Sequence, residues 1–579
     1  MTAPVIGIDL GTTNSLVAYL EHGTPRLIKN RAGQTITPSV VGLDPADRLH
    51  VGATAREQLL STPDRAVAEA KRLMGTSERV LLGQRTYSAT EISGIILKAL
   101  KEDAEVALGL PVEEAVVTVP AYFTDAQRKA TKDAGELAGL RVERILNEPT
   151  AAALAYGIEN LDKEDLILVY DLGGGTFDVS VLEMFDGVLE VKASAGNNRL
   201  GGGDFDRALV AYLLREVERV HAVDLRPDPQ AMQRLRAAAE RAKIELSTMR
   251  ATRISLPDLV DRGASKASFE HELSRETLEA LVRDLAQQTI APIETALADA
   301  RIDKKRIGAI VMVGGATRMP MIRGLVGELF GRDPLTHVNP DEAVALGAAI
   351  QGGLKSGAIK TDQGIMITDV CPFTLGVEVQ ASAGSQQVEG LFSPIIPRNS
   401  TIPISRTESY STTRDKQTKV DIRIFQGESR LCKHNVFLDM YTVDGIPPAS
   451  AGQEKVAVTF TYDVNGILQV TTKVVSTGKE ATLKVERSQN RLTADARVDA
   501  KSRLDREWHG AARAADTGAA EGLCELVTAA KGRLASLSPA SSAKVGALIV
   551  EAEGAIASGD ADAIARVELR LTDALVEAG

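Results

Sequence analysis

At 579 residues with 44% hydrophobic and 25% charged composition, the chain is ordinary soluble-protein material, too long for one hydrophobic core, and roughly three or four domains are expected. A net charge of −11, from 67 basic and 78 acidic residues, excludes a nucleic-acid or anionic-membrane surface as the organising feature, and 4% aromatics are too few for a base-stacking platform. Three scattered cysteines (Cys371, Cys432 and Cys524), no apolar run near the roughly 20 residues of a membrane span and no basic leader lead to the expectation of a cytoplasmic protein without disulfides or a zinc knuckle.

The first element is an apolar run, Val5-Ile6-Gly7-Ile8, that ends in Asp9 and a turn containing Gly11, Thr12 and Thr13. It predicts a buried strand that delivers a carboxylate. The pattern returns at Leu168-Val169-Tyr170-Asp171-Leu172-Gly173-Gly174-Gly175-Thr176-Phe177-Asp178. One copy alone is more often a plain turn. Two copies predict two related lobes facing one polyphosphate, with glycines admitting backbone N–H groups to phosphate oxygens. Bare carboxylates would repel phosphate, so Asp9 and Asp171 call for an intervening cation, of which magnesium fits best.

Between these copies, Val116-Val117-Thr118-Val119 reads as a strand stopped by Pro120. Thr124 and Gln127 form a capping box for a helix through Ala134 that ends near Gly139. A second helix runs from Pro149 to Gly157, a charged amphipathic one spans 231–247, and Ile310-Val311-Met312-Val313 is a strand that delivers Gly314-Gly315-Ala316-Thr317-Arg318. Residues 1–360 therefore read as a duplicated α/β domain. Residues 361–370 form a polar linker carrying the apolar tripeptide Ile365-Met366-Ile367. From 371 to 490 the period is two, as in Val420-Asp421-Ile422-Arg423-Ile424, which predicts an antiparallel β-sandwich. Residues 491–579 are Ala-, Arg- and Glu-rich with helical spacing, and breaks are expected at Gly518, near Ser538-Pro539 and at Gly559-Asp560, with Asp560 capping a last helix over 561–577.

Neither the P-loop nor the dinucleotide glycine pattern occurs, so a nucleotide site has to come from the duplicated turns. Here the chain resembles a family. Gly7-Ile8-Asp9-Leu10-Gly11-Thr12-Thr13-Asn14-Ser15, Val119-Pro120-Ala121-Tyr122-Phe123, Asn147-Glu148-Pro149-Thr150, Asp171 to Asp178, Val313 to Pro320, Asn339-Pro340-Asp341-Glu342-Ala343-Val344 and Val464-Asn465-Gly466-Ile467-Leu468 are similar, in order, to motifs of the seventy-kilodalton heat-shock chaperones of the DnaK type. The likeness runs from residue 4 to about 490, and the helical region matches in type only. Within the family, the stretches Ile367 to Val379 and Phe392 to Asn399, a short segment around Gly75–Thr90 and a short lid resemble the HscC branch.

The resemblance implies an actin-like ATPase domain, a β-sandwich peptide-binding domain and a short α-helical lid, using ATP and ADP with Mg2+ and K+. It implies that Asp9 and Asp171 hold magnesium through water, that Asp178 helps hold the monovalent ion, and that Glu148 positions magnesium-site waters. Gly11, Thr12, Thr13, Gly173, Gly174, Gly175, Thr176 and Gly202 would cradle phosphates, with Lys71 at the γ-phosphate and attacking water. Glu240, Lys243 and Ser247, spaced i, i+3, i+7, would form the adenosine pocket with Gly315, Arg318 and Asp341. Val377, Gln380, Tyr410, Thr413, Val420, Ile422 and Ile467 match positions around a cleft for an extended hydrophobic peptide. Arg144, Ile365, Met366, Ile367 and Asp369 match positions that carry interdomain signals and engage a J-domain co-chaperone. ATP is expected to dock the linker tripeptide and open the cleft, and hydrolysis to release it. A monomer is the expectation, the need for an exchange factor is open, and no nucleic-acid or membrane partner is expected.

Plainer readings stand beside these. On composition alone Lys71 is a solvated helix lysine, Glu240 and Lys243 a surface pair, Thr176 a turn hydroxyl, and the alternating apolar residues of 371–490 a core. Three departures from the family pattern stand out: Gly203 where an acid is usual, and polar Gln380 and Thr413 where apolar residues arch over the peptide. A sugar kinase or filament-forming actin relative shares the duplicated lobes, but has no evident use for residues 370–579. A slow ATPase regulating one or few clients is the third reading, favoured by the polar arch and the short lid.

Overall fold

The structure, a computed structural model, describes residues 4–44, 47–157, 164–261, 266–336, 338–359, 366–383, 386–485, 494–533 and 539–558, together with Val567, Arg570, Leu571, Ala574 and Leu575. Packing divides the chain into one unit of Met1–Leu43 with His50–Arg497 and another of Asp44–Leu49 with Val498–Gly579.

The large unit opens with strands β1 (Val5–Asp9), β2 (Asn14–Glu21) and β3 (Thr24–Leu27), later joined by β4 (Glu114–Val119) and β5 (Arg141–Asn147) in the order β5-β4-β1-β2-β3. β1 is antiparallel to β2 and parallel to β4. The second lobe repeats this arrangement with β6 (Asp165–Leu172), β7 (Phe177–Phe185), β8 (Val188–Asn197) and β9 (Ala309–Val313). β6 is antiparallel to β7 and parallel to β9, so Asp9 and Asp171 end equivalent central strands. Central strands buried on both faces need continuous apolar runs, which Val5–Ile8 and Leu166–Tyr170 supply.

Helices pack on the sheets: α1 (Ala89–Leu108), α2 (Asp125–Leu137), α3 (Glu148–Gly157), α4 (Gly202–His221), α5 (Pro229–Leu246), α6 (Ile290–Ala300) and α7 (Ala343–Ser356). The expected capping box closes the start of α2, where Thr124 N–H donates to Gln127 Oε1 at 2.9 Å and Gln127 N–H donates to Thr124 Oγ1 at 3.4 Å.

The sheet of the second lobe does not stop at β8. It continues into β10 (Met366–Val370) and β13 (Thr401–Ile402), giving the order β9-β6-β7-β8-β10-β13. β10 lies parallel to β8, with Val188 opposite Met366 and Leu189 opposite Ile367. The polar connection expected over 361–370 thus ends in a paired strand, and Ile365 lies outside the described residues. Ile367 packs against the lobe's core, while Met366 is 60% exposed.

Residues 371–485 form two four-stranded antiparallel sheets. One contains β11 (Leu375–Ala383), β12 (Gln386–Ile396), β15 (Lys419–Gln426) and β16 (Val436–Asp444) in the order β12-β11-β15-β16. The other runs β14-β17-β18-β19, with β14 at Ile404–Ser411, β17 at Lys455–Tyr462, β18 at Leu468–Val474 and β19 at Glu480–Lys484. Alternate residues of both, such as Val377, Ile424, Val458, Phe460 and Val470, fill one shared core, as the period-two pattern requires.

Helix α8 (Ala494–Arg533) passes without interruption through Gly518, where a break was expected. An interior glycine costs only about 1 kcal/mol relative to alanine, which its Ala-rich neighbours offset. α9 (Pro539–Ser558) starts at the expected proline, and Gly559-Asp560 lies outside the described residues. In the small unit Leu523, Val527, Val545, Ile549, Val567 and Leu571 share an apolar core.

Candidate functional site

β1 and β6 carry Asp9 and Asp171 into one buried place, where Asp178 on β7 and Glu148 at the start of α3 join them. Burial, then the Glu148 charge, pushes Asp9 up to about 7. Burial, followed by the charges of Glu148, Asp178 and Asp9, lifts Asp171 well above the usual carboxylate range. Burial and Glu148 likewise push Asp178 up to about 7, although its Oδ1 accepts the Tyr122 N–H at 2.9 Å. Asp178 Oδ2 is buried without a partner. The nearest compensating charge is Lys71, whose Nζ donates to Glu148 Oε1 at 2.7 Å. Lys71 is 7% exposed, on a 3-10 turn over Ala70–Leu73, so it is neither solvated nor on an α-helix. A buried group with more carboxylates than cations is costly in low dielectric. Among the described residues no three His, Cys, Asp or Glu are grouped to ligate a metal directly.

The two glycine turns face each other beside this cluster. A Cβ on Gly174 would lie 2.0 Å from Thr13 Oγ1, and one on Gly175 would lie 2.8 Å from Thr12 Cγ2 and 2.9 Å from Arg72 Nε. Any side chain there would close the gap between the lobes. Thr12 is buried, and the Gly11 carbonyl accepts from Ser39 Oγ at 2.8 Å. Gly173 and Thr176 complete the second turn, where Gly173 N–H donates to Thr176 O at 3.1 Å.

The groups expected around adenosine form two sets. Lys243 Nζ on α5 donates to Gly202 O at 3.1 Å and Asp206 Oδ2 at 2.7 Å, and Ser247 Oγ donates to Lys243 O at 3.2 Å. Arg318 Nε donates to Asp341 Oδ2 at 3.0 Å, and a Cβ on Gly315 would lie 3.3 Å from Asp341 Oδ1. The sets meet at Gly202, whose Cβ would lie 3.3 Å from Lys243 Nζ and 3.4 Å from Ala316 Cβ. Glu240 does not pair with Lys243; its carboxylate accepts from Arg56 Nη2 at 2.6 Å.

Asp369 on β10 is buried, which raises its pKa, and its Oδ2 accepts from Thr150 Oγ1 on α3 at 3.2 Å. Arg144 turns its Nη1 to Gln351 Oε1 at 3.1 Å, and Asp369 is close enough for the opposite charges to be felt.

In the β-sheets, Val377 and Ile422 are core residues, with Tyr410 and Val420 packed at their margin. Tyr410 OH shares a hydrogen bond with Ser393 Oγ at 3.0 Å. Ile467 sits apart from this core cluster, half-buried in the turn before β18, where its N–H donates to Asp463 Oδ1 at 2.9 Å. Gln380 Nε2 donates to Glu389 Oε1 at 2.8 Å, and exposed Thr413 donates its N–H to Gln417 Oε1 at 2.9 Å.

Sequence reasoning passed over the residues that seat the β-sheets on the lobes. Lys129 on α2 donates to Asp125 and to the Val485 carbonyl, and Arg128, held within its own lobe by Asn147 Oδ1 at 2.8 Å and Ala121 O at 2.9 Å, lies under Gly466, whose Cβ would meet Arg128 Cδ at 3.0 Å. Asn465 Oδ1 accepts from Ile145 N–H at 3.1 Å. On α6, Asp299 accepts from Arg398 Nη2 at 2.7 Å and Asn399 Nδ2 at 2.9 Å. The near partner Asp125 would read as an ordinary i, i+4 surface pair, and burial follows only from the distant acceptors, the Val485 carbonyl above all.

Duplicated lobes with glycine turns around a buried carboxylate cluster, joined to a β unit by an inserted strand, are the arrangement of a nucleotide hydrolase with an attached β unit. The chain belongs to the Hsp70 family: the family profile described as Hsp70 protein matches residues 5–81 and 78–572. Over 484 residues it is 49% identical to a chaperone protein DnaK of Thermotoga neapolitana, covering 83% of this chain and 80% of that one. Chaperone proteins DnaK of Thermotoga maritima, at 48%, and Thermosipho melanesiensis, at 49%, match over the same shares. The protein is an ATP-dependent chaperone and an ATP hydrolase that binds client peptides. No described helix is long and apolar enough to cross a membrane.

Proposed function

We propose that residues 1–360 are the nucleotide domain, 361–370 the connecting segment, 371–490 the peptide-binding domain and 491–579 its lid, and that β10 couples the first to the third. The observation that carries this reading is the parallel pairing of β10 with β8 while Asp369 is held by Thr150. ATP would favour this docked arrangement and an open cleft; hydrolysis would release β10 and close the cleft on an extended apolar peptide.

At the nucleotide site, Gly11, Thr12, Thr13, Gly173, Gly174, Gly175, Thr176 and Gly202 cradle phosphate, and Glu240, Lys243, Ser247, Gly315, Arg318 and Asp341 take adenosine. Lys71, held by Glu148, meets the charge that develops on the transferred phosphoryl group. The excess of buried carboxylates and the orphaned Asp178 oxygen fit magnesium held through water by Asp9 and Asp171, and a potassium ion near Asp178. Magnesium there would neutralise phosphate charge.

At the second site, Val377, Tyr410, Val420, Ile422 and Ile467 supply apolar contacts, and Gln380 and Thr413 narrow the client set. Arg144 and Asp369 are the place where a J-domain co-chaperone acts. The relatives named above carry the DnaK name, and the HscC-like branch rests on the Ile367–Val379 and Phe392–Asn399 stretches. A cytoplasmic monomer completes the reading. The test is single-turnover ATP hydrolysis with and without a short extended apolar peptide, in the wild type and Lys71→Ala. Peptide stimulation that vanishes in the variant is expected. Hydrolysis indifferent to peptide would remove the coupling and leave the ATPase alone.

A further inference from the structure

Lys71 is flanked by two charged residues that the nucleotide site does not use. Glu69, two positions before it, is held at φ 55°, in the left-handed region that non-glycine residues enter only at a cost. Arg72, the next residue, crosses to the second lobe, where Nη2 donates to Asp204 Oδ2 at 2.9 Å and to Gly174 O at 3.3 Å. Asp204 lies in the first turn of α4, and its Oδ2 also accepts the Gly201 N–H at 2.8 Å. Its other oxygen takes Arg207 Nη2. Arg207 Nη1 returns to Glu69 Oε2 at 3.6 Å, and Arg72 Nε also lies 3.6 Å from Glu69 Oε2. The four side chains form a closed ring of alternating charge, Glu69–Arg72–Asp204–Arg207, with two members on each lobe. The two guanidiniums hold Asp204 below the usual carboxylate range against the opposing effect of burial.

The ring closes over Gly203. A Cβ there would lie 3.0 Å from Glu69 Oε1 and 3.1 Å from the Gly174 carbonyl, which is fixed backbone. Gly203, with no side chain, therefore leaves room for Glu69.

We propose that the Glu69–Arg72–Asp204–Arg207 ring is a latch between the lobes on the phosphate side of the cleft, and that it positions the Lys71 turn and the Gly174 carbonyl and slows nucleotide release. The proposal rests on the nucleotide site described above. Arg207 and Glu69 reach no group assigned to nucleotide and act through Arg72 and Asp204, so they are positioning residues. Each is about half exposed, which limits a single link to roughly threefold to fivefold in release rate.

The test follows release of a fluorescent ADP, with magnesium, from the full chain by stopped flow, beside single-turnover ATP hydrolysis and thermal unfolding. Arg207→Gln and Glu69→Gln are each expected to speed release by roughly threefold to fivefold, and the double variant by no more than the larger single effect, because one latch is broken once. Arg207→Lys restores part of the wild-type rate. Gly203→Glu speeds release as well, by pushing Glu69 aside. Failure of the wild type to bind the ADP would overturn the site itself. Binding with unchanged release in Arg207→Gln and Gly203→Glu would overturn the latch alone. Release that rises only in step with a fall in unfolding temperature would show a general loosening of the fold, and also refute the latch.

Discussion

Residues whose charge is buried decide most of what this molecule can do. Lys71 and Asp369 look alike in sequence, each a charged residue between one apolar and one polar neighbour, and both end up almost without solvent. Their partners explain why. Lys71 is stabilised by Glu148, whereas Asp369 receives the Thr150 hydroxyl and its own neighbour's N–H, from Val370 at 2.8 Å. Burial raises Asp369 despite these bonds and despite the nearby Arg128 and Arg144 charges. The docked state therefore holds a proton on Asp369 more tightly than an undocked, hydrated Asp369 does. The sign follows by linkage: docking gains most where Asp369 is protonated in both states, and loses that gain as pH rises through the raised value. Protection of the Met366–Val370 amides from hydrogen exchange, in the presence of ATP and corrected for intrinsic exchange, should fall as pH rises above the usual carboxylate range. Asp369→Asn keeps an acceptor for Thr150 and should show a flat profile. An Asn variant that tracks the wild type would assign the pH dependence to another group.

At the scale of elements, whatever depended on neighbours in sequence was legible. The repeated strand–Asp–Gly–Thr pattern announced two lobes, the Thr124/Gln127 box fixed the start of α2, and alternation marked the β-sheets. The Gly518 break failed because one glycine is too weak a signal against a long helical pattern. From sequence β10 is part of a polar linker with an apolar tripeptide, because its partner, Val188–Glu190, lies far back along the chain and no local rule pairs them. Its apolar residues are also unequal. Ile367 packs against the core of the second lobe, and Met366 faces outward at 60% exposure. Placing a carboxylate at half-buried Ile367 would set a partly desolvated, unpaired charge against the core of the second lobe, while Met366→Asp leaves its charge in water. Ile367→Asp should abolish peptide stimulation of ATP hydrolysis without abolishing basal turnover, and Met366→Asp should stay within about twofold of wild type, as for a surface substitution of roughly ±0.5 kcal/mol. Equal damage from both would mean that the strand acts through its edge pairing and not through the Ile367 contact.

For the whole molecule, the two sites differ in how far sequence could carry them. The proposed nucleotide site is built from turns at strand ends, so its residues converge wherever the strands form: Gly174 lies against Thr13, and Asp171 feels the charge of Asp9. The proposed peptide site depends on which face each β residue takes and how two sheets are set together, and Ile467 sits apart from the cluster holding Val377 and Ile422. The contacts between β-sheets and lobes were invisible for the same reason, since Asp299, Arg398 and Asn399 acquire meaning only when α6 meets the loop after β12. Under the proposed reading, client choice rests on Gln380 and Thr413. Gln380 gives one end of its amide to Glu389, with Oε1 left unpartnered, and Thr413 stands exposed after β14. A client that covers either residue must desolvate a polar group that an apolar side chain could have replaced, so purely apolar segments gain little here. Replacing both, as Gln380→Ile with Thr413→Ala, should tighten binding of an extended apolar peptide by roughly tenfold, on the scale of one buried aliphatic side chain. The measurement is fluorescence anisotropy over a panel of extended peptides graded from apolar to polar, with ADP bound. The wild type should bind a narrow part of the panel and the double variant a broader one, with the largest gains at the apolar end. A double variant with unchanged affinities across the panel would show that these two residues do not touch the client, and client choice would then have to come from other groups on the β-sheets.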